Sequence, residues 1–182
     1  SDPRPKVERL QKTGALCVAR DGFFETPESI VNRMFELVYP RGKVLEPSAG
    51  KGAIADLLRV GTENIHCVEF DAERAQLLSQ KGYEVFCMDF MAFSAPQPYD
   101  TIFMNPPFEN NQDIDHVVRA FAMLARGGGL VSVMGEGAFF RETRKSSEFR
   151  EFLEAQDAYV EQLPDKSFRS SGTDVAARLV VL

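Results

Sequence analysis

The chain has 182 residues, of which 44% are hydrophobic and 26% are charged, and its formal net charge at pH 7 is −6. This composition is that of one globular domain with a hydrophobic core, and it excludes a disordered chain. No apolar run approaches the roughly 18–20 residues that a membrane-spanning helix needs, and the negative charge disfavours extensive binding to nucleic-acid phosphates.

Residues 1–22 are expected to form an N-terminal extension and residues 23–182 a single domain. The first residues lack the apolar segment of a signal peptide. The three cysteines, Cys17, Cys67 and Cys87, are far apart and form neither a zinc pattern nor a disulfide framework, so no metal site is predicted. Cys67 and Cys87 lie in apolar strand-like runs, which predicts buried free thiols. A reducing, cytoplasmic setting is expected.

The first helix is predicted to begin at Thr26-Pro27. Apolar residues from Ile30 to Val38 recur at helical spacing, and Pro40 ends the pattern. Thr26 is expected to be the N-cap and Pro27 the first helical residue, which are the positions that these residue types favour.

Strand and helix patterns then alternate to the end of the chain. Strands are predicted over residues 43–46, 65–69, 83–87, 99–104, 130–134, 159–163 and 175–182. Helices are predicted from residue 54 to 58 and over residues 73–80, 114–125 and 147–155. Glycines 127–129 are expected to interrupt the regular secondary structure before the fifth strand. The alternation predicts an α/β fold with a mostly parallel sheet, helices on both faces, and ligands at the carboxyl ends of the strands.

A glycine-containing loop follows the first strand, with the sequence Glu46-Pro47-Ser48-Ala49-Gly50-Lys51-Gly52. The two glycines permit a tight turn and a close backbone approach by a ligand. Their spacing differs from the dinucleotide fingerprint, and Lys51 is not followed by the Ser or Thr of a phosphate-binding loop. The acidic Glu46 would repel phosphate and suits a ligand with a positive charge or an ammonium group.

The second strand ends in two carboxylates. Glu69 and Asp71 are each able to accept hydrogen bonds from ribose hydroxyls, as the acidic residue of dinucleotide-binding folds does. Glu69 is the first candidate. The alternative for Asp71 is that it only caps the helix that follows.

The tetrapeptide Asn105-Pro106-Pro107-Phe108 follows the fourth strand. Two prolines fix φ and remove two backbone donors, so the strand must stop there. The carbonyls of Asn105 and Pro106 are then free to accept hydrogen bonds, and Phe108 adds a flat apolar ring. This arrangement suits a planar group that bears an NH2.

The Asn-Pro-Pro-aromatic turn resembles the catalytic motif of amino-methyltransferases that use S-adenosylmethionine. The loop at 46–52 is similar to their motif I, (Asp/Glu)-Pro-x-x-Gly-x-Gly, and Phe24-x-Thr26-Pro27 resembles their upstream Phe-x-Thr-Pro segment. The order of the motifs is similar to the gamma-type order of DNA adenine-N6 methyltransferases. The resemblance covers nearly all of residues 23–182 and implies a Rossmann-like class I methyltransferase fold, with a seven-stranded sheet and an antiparallel closing strand.

The resemblance also implies roles for individual residues. Asp89 would accept the amine of the cofactor's adenine and Phe90 would pack on its ring, although Phe90 is equally consistent with a core aromatic. The catalytic set implied is Asn105, Pro106, Pro107 and Phe108. The set implied to bind S-adenosylmethionine is Phe24, Thr26, Pro27, Glu46, Pro47, Ala49, Gly50, Gly52, Glu69, Phe70, Asp89, Phe90 and Asn105.

Substrate contacts are expected from a second group of residues. Phe168, before a Ser-Gly-Thr turn, resembles the motif VIII aromatic that packs on the target base, with an ordinary loop anchor as the alternative. Arg141, Arg144 and Lys145 are candidate phosphate contacts, or part of a solvated face of mixed charge. Both histidines, His66 and His116, are predicted to be structural.

These observations favour an enzyme that methylates the N6 amine of adenine in DNA, of a restriction–modification or phage type. The alternatives are an RNA methyltransferase acting on adenine N6 or guanine N2, a protein-glutamine methyltransferase, and a non-catalytic cofactor-binding subunit. DNA enzymes of this order normally carry a target-recognition region after the final strand, where this chain stops. A partner chain or a missing region is therefore expected to supply recognition, unless the substrate needs none.

Overall fold

A computed structural model describes residues 24–59 and 64–182, so the expected N-terminal extension and Cys17 lie outside the described residues. The helices are α1 Glu28–Leu37, α2 Ala53–Leu58, α3 Ala72–Gln80, α4 Gln112–Phe121, α5 Gly137–Phe140 and α6 Arg144–Ala155. The strands are β1 Val44–Glu46, β2 Ile65–Glu69, β3 Glu84–Cys87, β4 Tyr99–Met104, β5 Leu124–Gly135, β6 Tyr159–Gln162 and β7 Ala177–Val181. Short 3-10 turns lie at Phe90–Ala92, Glu109–Asn111 and Arg169–Ser171.

The seven strands form one sheet in the order β3-β2-β1-β4-β5-β7-β6. Strand β7 runs antiparallel to β5 and β6, and the other pairs are parallel. The predicted mostly parallel sheet with an antiparallel closing strand is confirmed. Strands β1 and β4 lie at its centre, which brings the glycine loop and the Asn-Pro-Pro-Phe turn to the same edge of the sheet.

Helices cover both faces of the sheet, as the alternation predicted. Successive strand residues point to opposite faces: Val44 packs in the hydrophobic cluster that includes α1, α2 and α3, whereas Leu45 packs in the cluster with α4 and α6. Both side chains are fully buried. A strand covered on both faces is mostly apolar, which is why the central strands lack the alternation of a half-exposed sheet.

The two cysteines that the structure describes have different environments. Cys67 is buried on β2, as predicted, but Cys87 is exposed. The prediction for Cys87 was wrong because β3 is an edge strand, whose first and last residues are exposed. Apolar composition alone does not distinguish an edge strand from a central one.

Helix α1 begins one residue later than its sequence pattern predicted. Pro27, not Thr26, is the N-cap residue, and its carbonyl accepts hydrogen bonds from the backbone N–H groups of Ile30 and Val31. The Thr26 hydroxyl makes no capping bond. It accepts a hydrogen bond from Asn105 instead, so a residue expected to start a helix contacts the predicted catalytic turn.

The three consecutive glycines do not break the chain before β5. Helix α4 ends at Phe121, earlier than predicted, and β5 begins at Leu124 and runs through the glycines. The pairing with β4 is irregular there, with a register shift between Tyr99 and Thr101. A Cβ on Gly129 would lie 2.8 Å from a methyl of Val38. The glycines therefore permit close packing inside an irregular strand.

None of the helices that the structure describes combines the length and the apolar character needed to cross a bilayer.

Candidate active site

A cavity of about 300 Å³ opens at the carboxyl ends of β1, β2, β3 and β4. Its volume is at the lower end of the range found for small-molecule sites. The predicted site residues that line it are Phe24, Pro47, Glu69, Phe70, Asp89, Phe90, Asn105, Pro106, Pro107, Phe108 and Phe168. The structure thus brings the predicted catalytic turn and seven of the thirteen predicted cofactor residues to one cavity.

The side chain of Asn105 is held in one orientation. Its Nδ2 donates to the carbonyl oxygen of Phe24 at 3.0 Å and to Oγ1 of Thr26 at 3.1 Å. A backbone carbonyl only accepts hydrogen bonds, so the nitrogen of the amide must face it and Oδ1 must face the other way. Among the described residues none donates to Oδ1, which leaves a fixed acceptor in the wall of the cavity.

The ring of Phe108 is placed by a glycine at the end of β5. A Cβ on Gly135 would lie 3.1 Å from Cγ of Phe108, so the ring packs where a side chain would otherwise be. The Gly135 N–H donates to Oδ2 of Asp113 at 2.9 Å. Asp113 is 1% exposed, and its Oδ1 accepts from the N–H of Ile114. The buried carboxyl group of Asp113 thus fixes the end of β5, against which the ring of Phe108 packs.

Burial raises the pKa of Asp113 to about 6, against the opposing effects of its backbone hydrogen bonds and of Lys145. The folded state therefore binds this proton more tightly than the unfolded state. We expect the free energy of unfolding to fall by on the order of 2–3 kcal/mol as the pH rises from about 4 to 6, and to be insensitive to this group above that range.

Urea unfolding of the wild type and of Asp113→Asn across this pH range measures the effect, since the variant lacks the titrating group. The difference between the two curves isolates Asp113 from the other carboxylates. Parallel curves at all pH values would contradict the assignment.

Glu69 is tied into the end of β2 by several donors. Its Oε2 accepts from the N–H of Gly50 at 2.7 Å, and its Oε1 accepts from the N–H of Asp71 and from the guanidinium of Arg74. An ionised carboxylate has about four acceptor positions, so the remaining capacity lies mainly on Oε2. Asp71 uses its own carboxylate to cap α3, accepting from the N–H of Arg74 at 3.0 Å.

Glu46 lies outside the cavity lining. It is 2% exposed and its Oε2 accepts from the N–H of Ala55 at 3.0 Å. Burial raises its pKa well above the usual value, and the nearby carboxylates of Glu69 and Asp56 add to the effect. A buried carboxyl group in this environment is one whose ionised form a positively charged ligand would stabilise.

The glycine loop shapes the wall without lining much of it. Gly50 and Gly52 both have positive φ, at 56° and 94°, which explains why these two positions need glycine. Neither glycine, nor Ala49, lines the cavity, whereas Pro47 and Ser48 do. Gly50 acts through its N–H, which holds Glu69.

At the end of β3, Asp89 and Phe90 lie side by side in the wall. Asp89 starts the 3-10 turn, with Oδ1 accepting from the N–H of Met91 at 2.9 Å. Phe90 is 3% exposed and also belongs to a hydrophobic core cluster. Phe90 is therefore a core aromatic whose ring also lines the cavity, and contact with a cofactor ring stays a prediction.

The candidate substrate residues are divided between two places. Phe168 is 1% exposed, and it lines the cavity while packing in the core. The three basic residues lie outside the lining. Arg144 pairs with Glu148 and Lys145 with Asp115, which agrees with a solvated face of mixed charge. Thr26 and Pro27 also lie outside it, in a separate shallow groove.

The sequence analysis missed a group of lining residues, comprising Ser48, Val68, Arg74, Met88, Glu109, Gln112, His116 and Val175. Of the two histidines, His66 is structural as predicted, with Nδ1 2.9 Å from the hydroxyl of Tyr99. His116 instead lies in the cavity wall. Residues 112 and 116 are one helical turn apart and closely follow the Asn-Pro-Pro-Phe turn, a spacing that places them on one face of α4 and could have identified them.

Solved structures with the same architecture provide an independent comparison. A type I restriction–modification methyltransferase subunit from Streptococcus thermophilus superposes with a TM-score of 0.75 at 17% identity, over 96% of this chain and 47% of its own. The 23S rRNA methyltransferase ErmE gives 0.62 at 18%, over 87% and 69%. The glycopeptide N-methyltransferase MtfA gives 0.60 at 14%, over 100% and 99%.

The similarity is one of fold. No protein-family model matches the sequence, and no curated protein sequence does either. The chain spans about half of the length of the Streptococcus subunit. It has the Rossmann-like class I methyltransferase fold, and the three structures named above are all methyltransferases.

Proposed function

We propose that this chain is an S-adenosylmethionine-dependent N-methyltransferase whose target is the exocyclic N6 amine of adenine in DNA. The observation that carries the proposal is the fixed orientation of Oδ1 of Asn105 in the cavity wall. This oxygen accepts no hydrogen bond from the described residues. The two prolines that follow Asn105 have no backbone N–H groups. A non-catalytic subunit has no need for a catalytic turn held in this way.

The residues in the wall fit the proposed cofactor. Glu69 retains acceptor capacity on Oε2 for the ribose hydroxyls, Asp89 offers a carboxylate to the adenine amine, and Phe90 offers an apolar ring. Glu46, which was expected to favour a cationic ligand, lies outside this wall. When bound, S-adenosylmethionine supplies a methyl group activated by a sulfonium.

The amine of adenine is a weak nucleophile because its lone pair is delocalised into the ring. In our proposal the Oδ1 of Asn105 and the carbonyl of Pro106 each accept one of its N–H groups, which favours a pyramidal, electron-rich nitrogen. The charge that develops on nitrogen is then stabilised by dipoles that are already oriented. Positioning for in-line attack provides the rest of the acceleration, and no strong general base is required.

Phe108 and Phe168 are proposed to stack against the target base, which would have to leave a duplex to enter the cavity. The membership of the Streptococcus subunit in a restriction–modification system supports a DNA target, and so does the order of the motifs. The net charge of −6 does not favour a large phosphate interface. We therefore propose that a partner chain or a further region supplies most of the target recognition.

Among the three candidate basic residues, Arg141 is the best remaining phosphate contact. It is exposed, and its guanidinium has no ion-pair partner among the residues that the structure describes, whereas Arg144 and Lys145 are paired with carboxylates. Arg141 directly follows α5 as its C-cap residue and is adjacent to Phe140, which is 68% exposed. We propose that these two side chains contact nucleic acid beside the cavity.

Transfer of a labelled methyl group from S-adenosylmethionine tests the proposal. The substrates are duplex DNA, single-stranded DNA, RNA and a glutamine-containing protein extract, each with the purified chain. Label in N6-methyladenine of DNA is the expected result. Label in RNA or protein would select one of the alternative substrates, and cofactor binding without transfer to any substrate would favour a non-catalytic subunit.

A further inference from the structure

His116 has a buried nitrogen without a partner. Its Nδ1 is the one buried side-chain nitrogen or oxygen, among the residues that the structure describes, that makes no hydrogen bond. The residue is 7% exposed. Buried polar atoms are almost always paired, so an unpaired Nδ1 restricts which nitrogen of the ring carries the proton.

The position of this ring points to the nucleoside end of the cavity. His116 lines the cavity, and its ring centroid is 5.4 Å from that of Phe90 at an angle of 48°. The carboxylate of Asp89 is close enough to affect its protonation. His116 therefore completes a group of three side chains, in which Phe90 offers a flat apolar face, Asp89 an acceptor, and His116 a ring nitrogen.

The protonation of the ring defines what it offers. Burial lowers the pKa of His116, so the imidazole is neutral at pH 7, with one N–H and one lone pair. Buried N–H groups without a partner are rarer than buried acceptors without one, which places the lone pair on Nδ1 and the proton on Nε2. No described residue bonds to Nε2, so this N–H is available to a ligand.

A purine is the ligand chemistry that matches this group. Adenine carries an exocyclic amine, which donates, next to ring nitrogens, which accept. We propose that His116 donates a hydrogen bond to a ring nitrogen of the cofactor's adenine while Asp89 accepts from its amine. This inference rests on the proposed function. It adds a residue that favours adenine over purines whose hydrogen-bond donors and acceptors are arranged differently.

Binding of S-adenosylhomocysteine provides the test, because the product analogue needs no turnover. Calorimetry compares it with its 1-deaza, 3-deaza and 7-deaza derivatives, each of which replaces one ring nitrogen by a C–H group. We expect one derivative to bind the wild type about three- to tenfold more weakly, which corresponds to one neutral hydrogen bond. That penalty should disappear in His116→Leu and persist in His66→Leu, the matched control.

A spectroscopic measurement keeps the test independent of whether the leucine variant folds. The chain has two histidines, so the ¹⁵N spectrum of labelled imidazoles contains two rings, which His66→Leu assigns. We expect the Nε2 signal of His116 to shift on binding of S-adenosylhomocysteine, and less with the weak derivative.

Equal affinity of the wild type for all four ligands, or a penalty that persists in His116→Leu, would overturn the role of His116. An Nε2 signal that does not respond to binding would do the same. Failure of the wild type to bind S-adenosylhomocysteine at all is a different outcome, because it would contradict the proposed function itself.

Discussion

Replacement of Asn105 by alanine is expected to abolish methyl transfer while leaving the affinity for the cofactor nearly unchanged. The variant loses Oδ1, the fixed acceptor proposed to contact the amine only as charge develops on it. Loss of one such preorganised dipole typically lowers kcat by roughly 10²–10³-fold. Single-turnover rates with labelled cofactor measure the loss, and calorimetry with S-adenosylhomocysteine measures the affinity.

Two further variants test whether the groups that orient the Asn105 side chain also matter for the rate. Thr26→Val removes one of the two groups that hold Nδ2 of Asn105, so we expect a smaller loss of kcat, on the order of tenfold. Asn111→Ala is the matched control, because this buried asparagine lies in the same loop but bonds to Ser146 and does not line the cavity. A loss of cofactor affinity equal to the loss of rate in Asn105→Ala would refute the assigned role.

Replacement of Glu69 by alanine is expected to weaken cofactor binding by roughly 10²-fold, since it removes a charged acceptor proposed to bind the ribose. The same change removes the carboxylate to which the N–H of Gly50 and the guanidinium of Arg74 both donate. Breaking a buried ion pair costs several kcal/mol, so a lower free energy of unfolding should accompany the loss of affinity.

Glu69→Gln distinguishes the two effects. The amide keeps one acceptor oxygen and the shape of the side chain, so folding should suffer less than in the alanine variant. The control for affinity is Asp71→Ala, which loses the cap of α3 and should cost about 1 kcal/mol of stability with cofactor affinity intact. If Glu69→Ala binds the cofactor as tightly as the wild type, and Asp71→Ala does not, the ribose assignment belongs to Asp71.

Much of the fold could be predicted because its signals are local. The strands of the sheet are apolar runs ended by prolines, glycines or charged residues, and the helices between them repeat at helical spacing. Parallel strands place their carboxyl ends at one edge, so the glycine loop, Glu69, Asp89 and Asn105 could be expected to meet. The places where this reasoning failed have tertiary causes. Cys87 is exposed because β3 is an edge strand. Strand β5 runs through the three glycines, and at Gly129 the side chain of Val38 occupies the space that a Cβ would need.

The sequence by itself determined the architecture and which strand ends carry polar groups, because backbone conformation and burial follow from residue type over short stretches. Only the tertiary structure decided how those groups are used. Asn105 is oriented by Phe24 and Thr26, about 80 residues away in the chain, and no local pattern contains that contact. His116, predicted to be structural, lies in the wall of the cavity for the same reason. Burial and hydrogen bonding depend on which distant elements pack together, and neighbours in sequence do not specify them.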